Sequence, residues 1–177
     1  RGGNWTVFVV RGREEKTGKP RAYIKRKMKT KNTMKIVDEI KLICKEEKID
    51  YFDVFVDVVG VGAGVVDRLE EDGIFVNACR ANDKPSDDGK NLYVNIKAEA
   101  NFKAKKMLTE QDGKVYGSEF AEVDEIKWKI ASGGDGKIQM ESKDDLLARG
   151  VPSPDFWDAL CFTYYERKEV VPRIISL

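Results

Sequence analysis

The chain has 177 residues, with 32 lysines and arginines against 31 aspartates and glutamates, and no histidine. That length fits one domain with a real core, and the near-balance of charge means that only its distribution can speak about partners. The missing histidine excludes a Ser-His-Asp triad, a Cys-His pair and any His-ligated zinc, while Cys44, Cys79 and Cys161 match no zinc spacing and point to a reducing compartment.

Residues 5–11 are apolar and β-branched and read as a strand, and the polar stretch 13–20 turns the chain into a second strand over 21–29. Asn32 or Thr33 can cap a helix running to about residue 48, in which Ile36, Val37, Ile40, Ile43 and Cys44 recur at three and four spacing. Residues 52–59 carry too many apolar side chains to have a wet face, which predicts a central parallel strand. A glycine cluster follows, then a short helix through Val65, Val66 and Leu69 that Gly73 stops, then a strand over 74–78. Residues 80–90 read as a polar loop. A helix is expected over 93–108 and another over 120–128, and 128–130 should pair with 137–141 across Gly133-Gly134-Asp135-Gly136. Ser142 can cap a short helix that ends at Gly150, and Ser153 or Pro154 opens the last long helix, with Phe156, Ala159, Leu160, Thr163 and Tyr164 on one side. The tail from Val170 is expected to be extended. This order predicts a single α/β domain over 1–177, a mixed sheet flanked by helices. No run approaches the roughly 18 apolar residues of a membrane span, no signal peptide is visible, and the start at Arg1 without Met reads as part of something longer.

Two acidic stations carry the chemistry. Asp57 closes the apolar run Phe52-Asp53-Val54-Phe55-Val56-Asp57 just before Gly60-Val61-Gly62-Ala63-Gly64, and Asp155 and Asp158 open the last helix, three apart on one face. A carboxylate at the end of a buried strand is costly unless it is paired, hydrogen-bonded or on a metal. In open α/β sheets, ligands bind beyond the carboxyl ends of strands, where Asp57 sits. If the last helix crosses there, three carboxylates converge into a site for hard ions such as Mg²⁺ or Mn²⁺. The plainer reading makes Asp57 a turn cap and leaves Asp155 and Asp158 to favour a helix dipole. The glycine cluster lacks the third glycine of a dinucleotide fingerprint, since position 65 is valine, and no GxxxxGK[ST] phosphate loop exists. Among basic residues, Arg21, Lys25, Arg26 and Lys27 on the predicted hairpin are the first candidates for phosphate contacts, followed by Arg80, Lys84 and Lys143.

The segments 57–69, Glu141-Ser142-Lys143-Asp144-Asp145, Arg149-Gly150 and Ser153-Pro154-Asp155-Phe156-Trp157-Asp158-Ala159-Leu160, with Asn91-Leu92 and Lys97-Ala98-Glu99-Ala100, resemble the C-terminal nuclease domain of the large terminase subunit of tailed double-stranded DNA phages. The resemblance runs in order over nearly the whole chain. It implies a ribonuclease-H-like fold and an endonuclease that cuts concatemeric viral DNA during packaging with two divalent metals, Mg²⁺ or Mn²⁺. It makes Asp57 a catalytic metal ligand and puts the final acid at Asp155 or Asp158. It also implies double-stranded DNA, a small terminase subunit, a portal and an N-terminal ATPase domain as partners, with work done in the host cytoplasm and not in the virion. The family carries its first catalytic aspartate on an opening strand before a turn resembling Arg1-Gly2-Gly3-Asn4, so that strand and the ATPase domain are expected to be missing from this chain. Two rival readings stand beside it: a catalytically silent DNA-binding or assembly module of the same fold, and a nucleotide-binding α/β domain.

Overall fold

The computed structural model describes residues 5–133 and 135–166; residues 1–4 and the tail from Val170 lie outside them. Strands β1 (Thr6–Arg13) and β2 (Pro20–Met28) form an antiparallel hairpin with a register shift between Phe8 and Val9. Asn32 accepts a hydrogen bond from the Lys35 N–H and starts α1 (Thr33–Glu47), whose buried face is Ile36, Val37, Ile40, Ile43 and Cys44. The chain then forms β3 (Phe55–Asp57), α2 (Val61–Glu71), β4 (Asn77–Cys79) and α3 (Ile96–Thr109). Next come β5 (Lys114–Tyr116), β6 (Trp128–Ile130), β7 (Ile138–Met140), α4 (Lys143–Ala148) and α5 (Asp155–Phe162).

The fold is α/β, with two helical layers around the strands. On one side Ile36, Val37, Ile40 and Cys44 of α1 pack with Val65 and Leu69 of α2. On the other, Ala100 and Ala104 of α3 pack with Trp157, Leu160 and Cys161 of α5, Phe120 and Ala22. The strands are hydrogen-bonded in three ladders: β1-β2-β5, which mixes antiparallel and parallel pairing, parallel β3-β4, and antiparallel β6-β7. All three cysteines are buried, where Cys44 and Cys161 pack as small apolar residues, and burial pushes the Cys44 thiol up to about 11.

Several boundaries differ from the sequence reading. The strand foreseen over 52–59 shrinks to three residues, because Asp50 accepts the Phe52 N–H and winds Tyr51–Asp53 into a 3₁₀ turn. Val59 has already left the ladder and is exposed. The helix foreseen from 93 starts at Ile96, where Asn95 caps it, while Tyr93 bridges to Ile138. The ambiguous helix over 120–128 is a 3₁₀ segment, Ser118–Glu125. The strand β5 was not foreseen: three residues between Gly113 and Gly117 show no period, and only its parallel pairing with β2 defines it.

Candidate active site

The candidate site lies at the C-terminal end of β3. Asp57 is its last residue, and its Oδ1 accepts the Val59 N–H at 3.0 Å, so the turn-cap reading holds for one oxygen. Burial pushes the Asp57 carboxyl up, the Val59 bond and the Lys143 charge pull it down, and Asp158 adds a further push upward.

Gly62 explains why the segment after Asp57 is glycine-rich. A Cβ at this position would lie 1.7 Å from the Asp57 carbonyl oxygen, so only glycine lets the first turn of α2 press onto the end of β3. The glycine therefore serves helix–strand contact at the acid. Gly62→Ala is expected to destabilise the fold by about 3 kcal/mol, as severe overpacking does, with the shift read from the midpoint of urea unfolding.

α5 brings the second station to the same place. Its N-terminus is capped from a distance by Glu122, a half-buried acid that accepts the Phe156 N–H at 2.9 Å and the Trp157 N–H at 3.1 Å. Burial pushes the Glu122 carboxyl up, against those two N–H bonds. Asp155 is taken up by structure: its Oδ2 accepts the Trp5 N–H at 2.8 Å, tying α5 to the start of β1. Asp158 faces Lys97 of α3, whose Nζ stands 3.3 Å from Oδ1 and 3.5 Å from Oδ2. Lys143 enters from the N-terminus of α4, where Ser142 and Asp145 form a capping box. The turn before it is fixed by nearly buried Glu141, which accepts the Lys127 N–H at 2.6 Å and pairs with Arg149 at 2.7 Å.

Asp57, Asp158 and Lys143 line two adjoining cavities, and Asp155 lines only the larger. The smaller, about 330 Å³, is closed by Lys97, Asn82 and Asn95. The larger, about 920 Å³, runs between β1 and β3, with Ile36, Ile40 and Ile43 of α1 on one wall and Ala159 and Phe162 of α5 on the other. Among the described residues β1 pairs only with β2 and β3 only with β4, so the two strand edges that flank this cavity have no ladder between them.

Among the described residues, no three carboxylates or thiols come together closely enough to hold an ion. The expected convergence of Asp57, Asp155 and Asp158 is therefore not met. The reason is visible in the bonds just given: one of the three anchors β1. Asp57 and Asp158 supply oxygen donors of the kind a hard divalent cation takes, but they are short in number. Of the basic candidates, Lys143 is at the site. Arg80 and Lys84 are exposed on the loop after β4. Arg21, Lys25, Arg26 and Lys27 lie along β2, each within an ion pair. The sequence reading did not single out Glu122 or the Lys97–Asp158 pair. Their partners lie 34 and 61 residues away, beyond any local pattern.

No protein-family model matches the chain, and no curated protein does. Solved structures do. The nuclease domain of the large terminase subunit gp2 of bacterial virus Sf6 superposes with a TM-score of 0.63 at 17% identity, covering 93% of this chain and 90% of that one. A point mutant of the same domain solved with manganese gives 0.61 at 20% identity over 81% of this chain and 79% of that one. Another, solved with calcium, gives 0.62 at 19% identity, covering 81% and 78%. The chain has the terminase nuclease fold. That architecture is ribonuclease-H-like, as the sequence resemblance implied. Among the described residues no helix is long and apolar enough to cross a membrane.

Proposed function

We propose that this chain is the nuclease domain of a phage packaging terminase, a divalent-metal-dependent endonuclease that cuts concatemeric double-stranded DNA. The observation that carries the reading is the pairing of Asp57 and Asp158 at the open end of β3, in a fold shared with terminase nuclease domains. Both acids belong to the ligand set. Lys97 holds Asp158 in place and offsets the repulsion between two carboxylates. When bound, a pair of Mg²⁺ or Mn²⁺ ions supplies an activated water and steadies the leaving oxygen of the phosphodiester. In the packaging machine the domain works beside an ATPase domain, the small subunit and the portal, in the host cytoplasm.

A further acid would complete the ligand set, and the larger cavity supports a position for it. β1 begins at the acidic end, where Trp5 meets Asp155, and β3 finishes there at Asp57, so the two strands run in opposite directions. An extended strand in the cavity would run antiparallel to β1 and parallel to β3 and offer hydrogen bonds to both edges. Its side chains would meet apolar helices on both faces, as those of a central strand do. Its last residue would stand beside Asp57 and bring the missing carboxylate. The cavity thus supports a position for the strand that the resemblance implies.

Among the described residues the ligands are few, which also leaves room for a second reading, a silent DNA-binding module of the same fold. One experiment separates them: plasmid cleavage in Mn²⁺, Mg²⁺ or EDTA by this chain and by a version extended with an acid-ending strand. Metal-dependent cutting by the extended version supports the nuclease. Its absence under every metal leaves the module. The nucleotide-binding reading has little left to stand on, because Gly62 is already accounted for by backbone contact with Asp57.

A further inference from the structure

The basic residues of β2 and those at the mouth of the larger cavity differ in a way that the sequence does not show. Along β2 the charges are neutralised from within. Arg21 pairs with Glu14 at 2.7 Å, and Lys25 reaches Glu46 at 2.7 Å and Glu47 at 2.6 Å. Arg26 pairs with Glu39 at 2.8 Å, and Lys27 with Glu119 at 2.5 Å. Three of these five acids, Glu39, Glu46 and Glu47, project from α1, so docking the helix on the hairpin cancels much of the strand's charge. A phosphate arriving there would have to compete with a carboxylate already in place.

Lys29, Lys31 and Lys143 differ. All three are exposed, and none is in an ion pair among the described residues. All three line the larger cavity together with Asp57 and Asp158. Lys29 and Lys31 follow the end of β2, and the Lys29 ammonium lies 4.7 Å from the centre of the Trp5 ring, the residue that bonds Asp155. Lys143 stands on the α4 side of the same opening and lines both cavities with Asp57 and Asp158. These three cations therefore rim the acids.

We propose that Lys29, Lys31 and Lys143 hold the DNA backbone on either side of the cut, and that the body of β2 is a structural face turned away from DNA. This rests on the nuclease reading and assigns the surface that reading requires. Unpaired lysines release counterions from DNA when they bind phosphate, whereas ion-paired ones gain little net charge. Contact with phosphate is indifferent to base sequence, so the rim gives affinity and register with no preference of its own.

The test is binding of this chain to a duplex of arbitrary sequence in EDTA, followed by fluorescence anisotropy across a salt series. Two variants are compared: Lys29→Ala/Lys31→Ala/Lys143→Ala and Arg21→Ala/Lys25→Ala/Arg26→Ala/Lys27→Ala. The first is expected to flatten the slope of log K against log salt by about 2 to 3, close to 0.9 per phosphate contact. The second removes one more positive charge yet should flatten the slope by less than about 1, so net charge and site give opposite rankings. The first variant changes only exposed side chains and carries the test even if the second fails to fold. An unchanged slope in the first variant overturns the rim while leaving the nuclease reading intact. Absence of salt-sensitive binding by the unmutated chain overturns both.

Discussion

Asp57→Ala, made in a chain that carries the strand for the larger cavity, is expected to lower metal-dependent cutting of supercoiled plasmid by at least about a thousandfold. Losing a single preorganised electrostatic group commonly costs a hundred- to a thousandfold, and loss of a metal ligand belongs at or beyond the upper end of that range. Asp57 ends β3, and the first turn of α2 packs against its backbone at Gly62, which fixes where its carboxylate stands. Asp158→Asn should fall nearly as far. Asp155→Asn should retain most of the activity, because an amide oxygen can still accept the Trp5 N–H that Asp155 accepts now. Equal loss in the Asp155 and Asp158 variants would contradict the division of roles drawn from the structure. Cutting that survives both Asp57→Ala and EDTA would belong to a contaminant.

The sequence revealed those parts of the fold that local chemistry determines. The cap at Asn32 with its apolar stripe located α1 to within a residue. Ser142 as a cap with Gly150 as a stop announced α4, and the glycine-rich turn announced the β6–β7 pair. Asp57 was legible for a related reason: a carboxylate ending an apolar run is conspicuous because burial there is costly. What could not be read depends on contacts between distant segments. β5 exists only because β2 offers it an edge. Glu122 caps a helix that begins 33 residues later, and nothing near it in the chain distinguishes it from other surface glutamates. The run Arg21 to Lys27 reads as a basic surface until α1 folds onto it and brings Glu39, Glu46 and Glu47 against it. For the same reason the choice between Asp155 and Asp158 stayed open in the sequence, since their spacing is symmetric and only Trp5 and Lys97 distinguish them.

Trp157→Ala should produce the largest loss of stability of any single change considered, about 3 to 5 kcal/mol, and a fall in thermal midpoint of roughly 10 °C. Trp157 is 1% exposed and sits between the two acids of α5, on the face that meets α3. Its indole Nε1–H donates to the Asn101 Oδ1 at 2.8 Å, and Asn101 in turn donates to the Lys97 carbonyl at 2.9 Å. Truncation would leave a ring-sized void and a buried amide oxygen without its donor, two costs that add. Trp157→Phe keeps most of the packing and loses the bond, so about 1 to 3 kcal/mol is expected, measured by denaturant unfolding of both variants. The comparison also bears on the site. The indole links α5, which carries Asp158, to the turn of α3 that carries Lys97, so it holds the two halves of the ion pair in register. If that link matters to the site, Trp157→Phe should weaken Mn²⁺ binding in titration calorimetry of the strand-extended chain, at a temperature where the variant is fully folded. Unchanged Mn²⁺ affinity would confine Trp157 to the core.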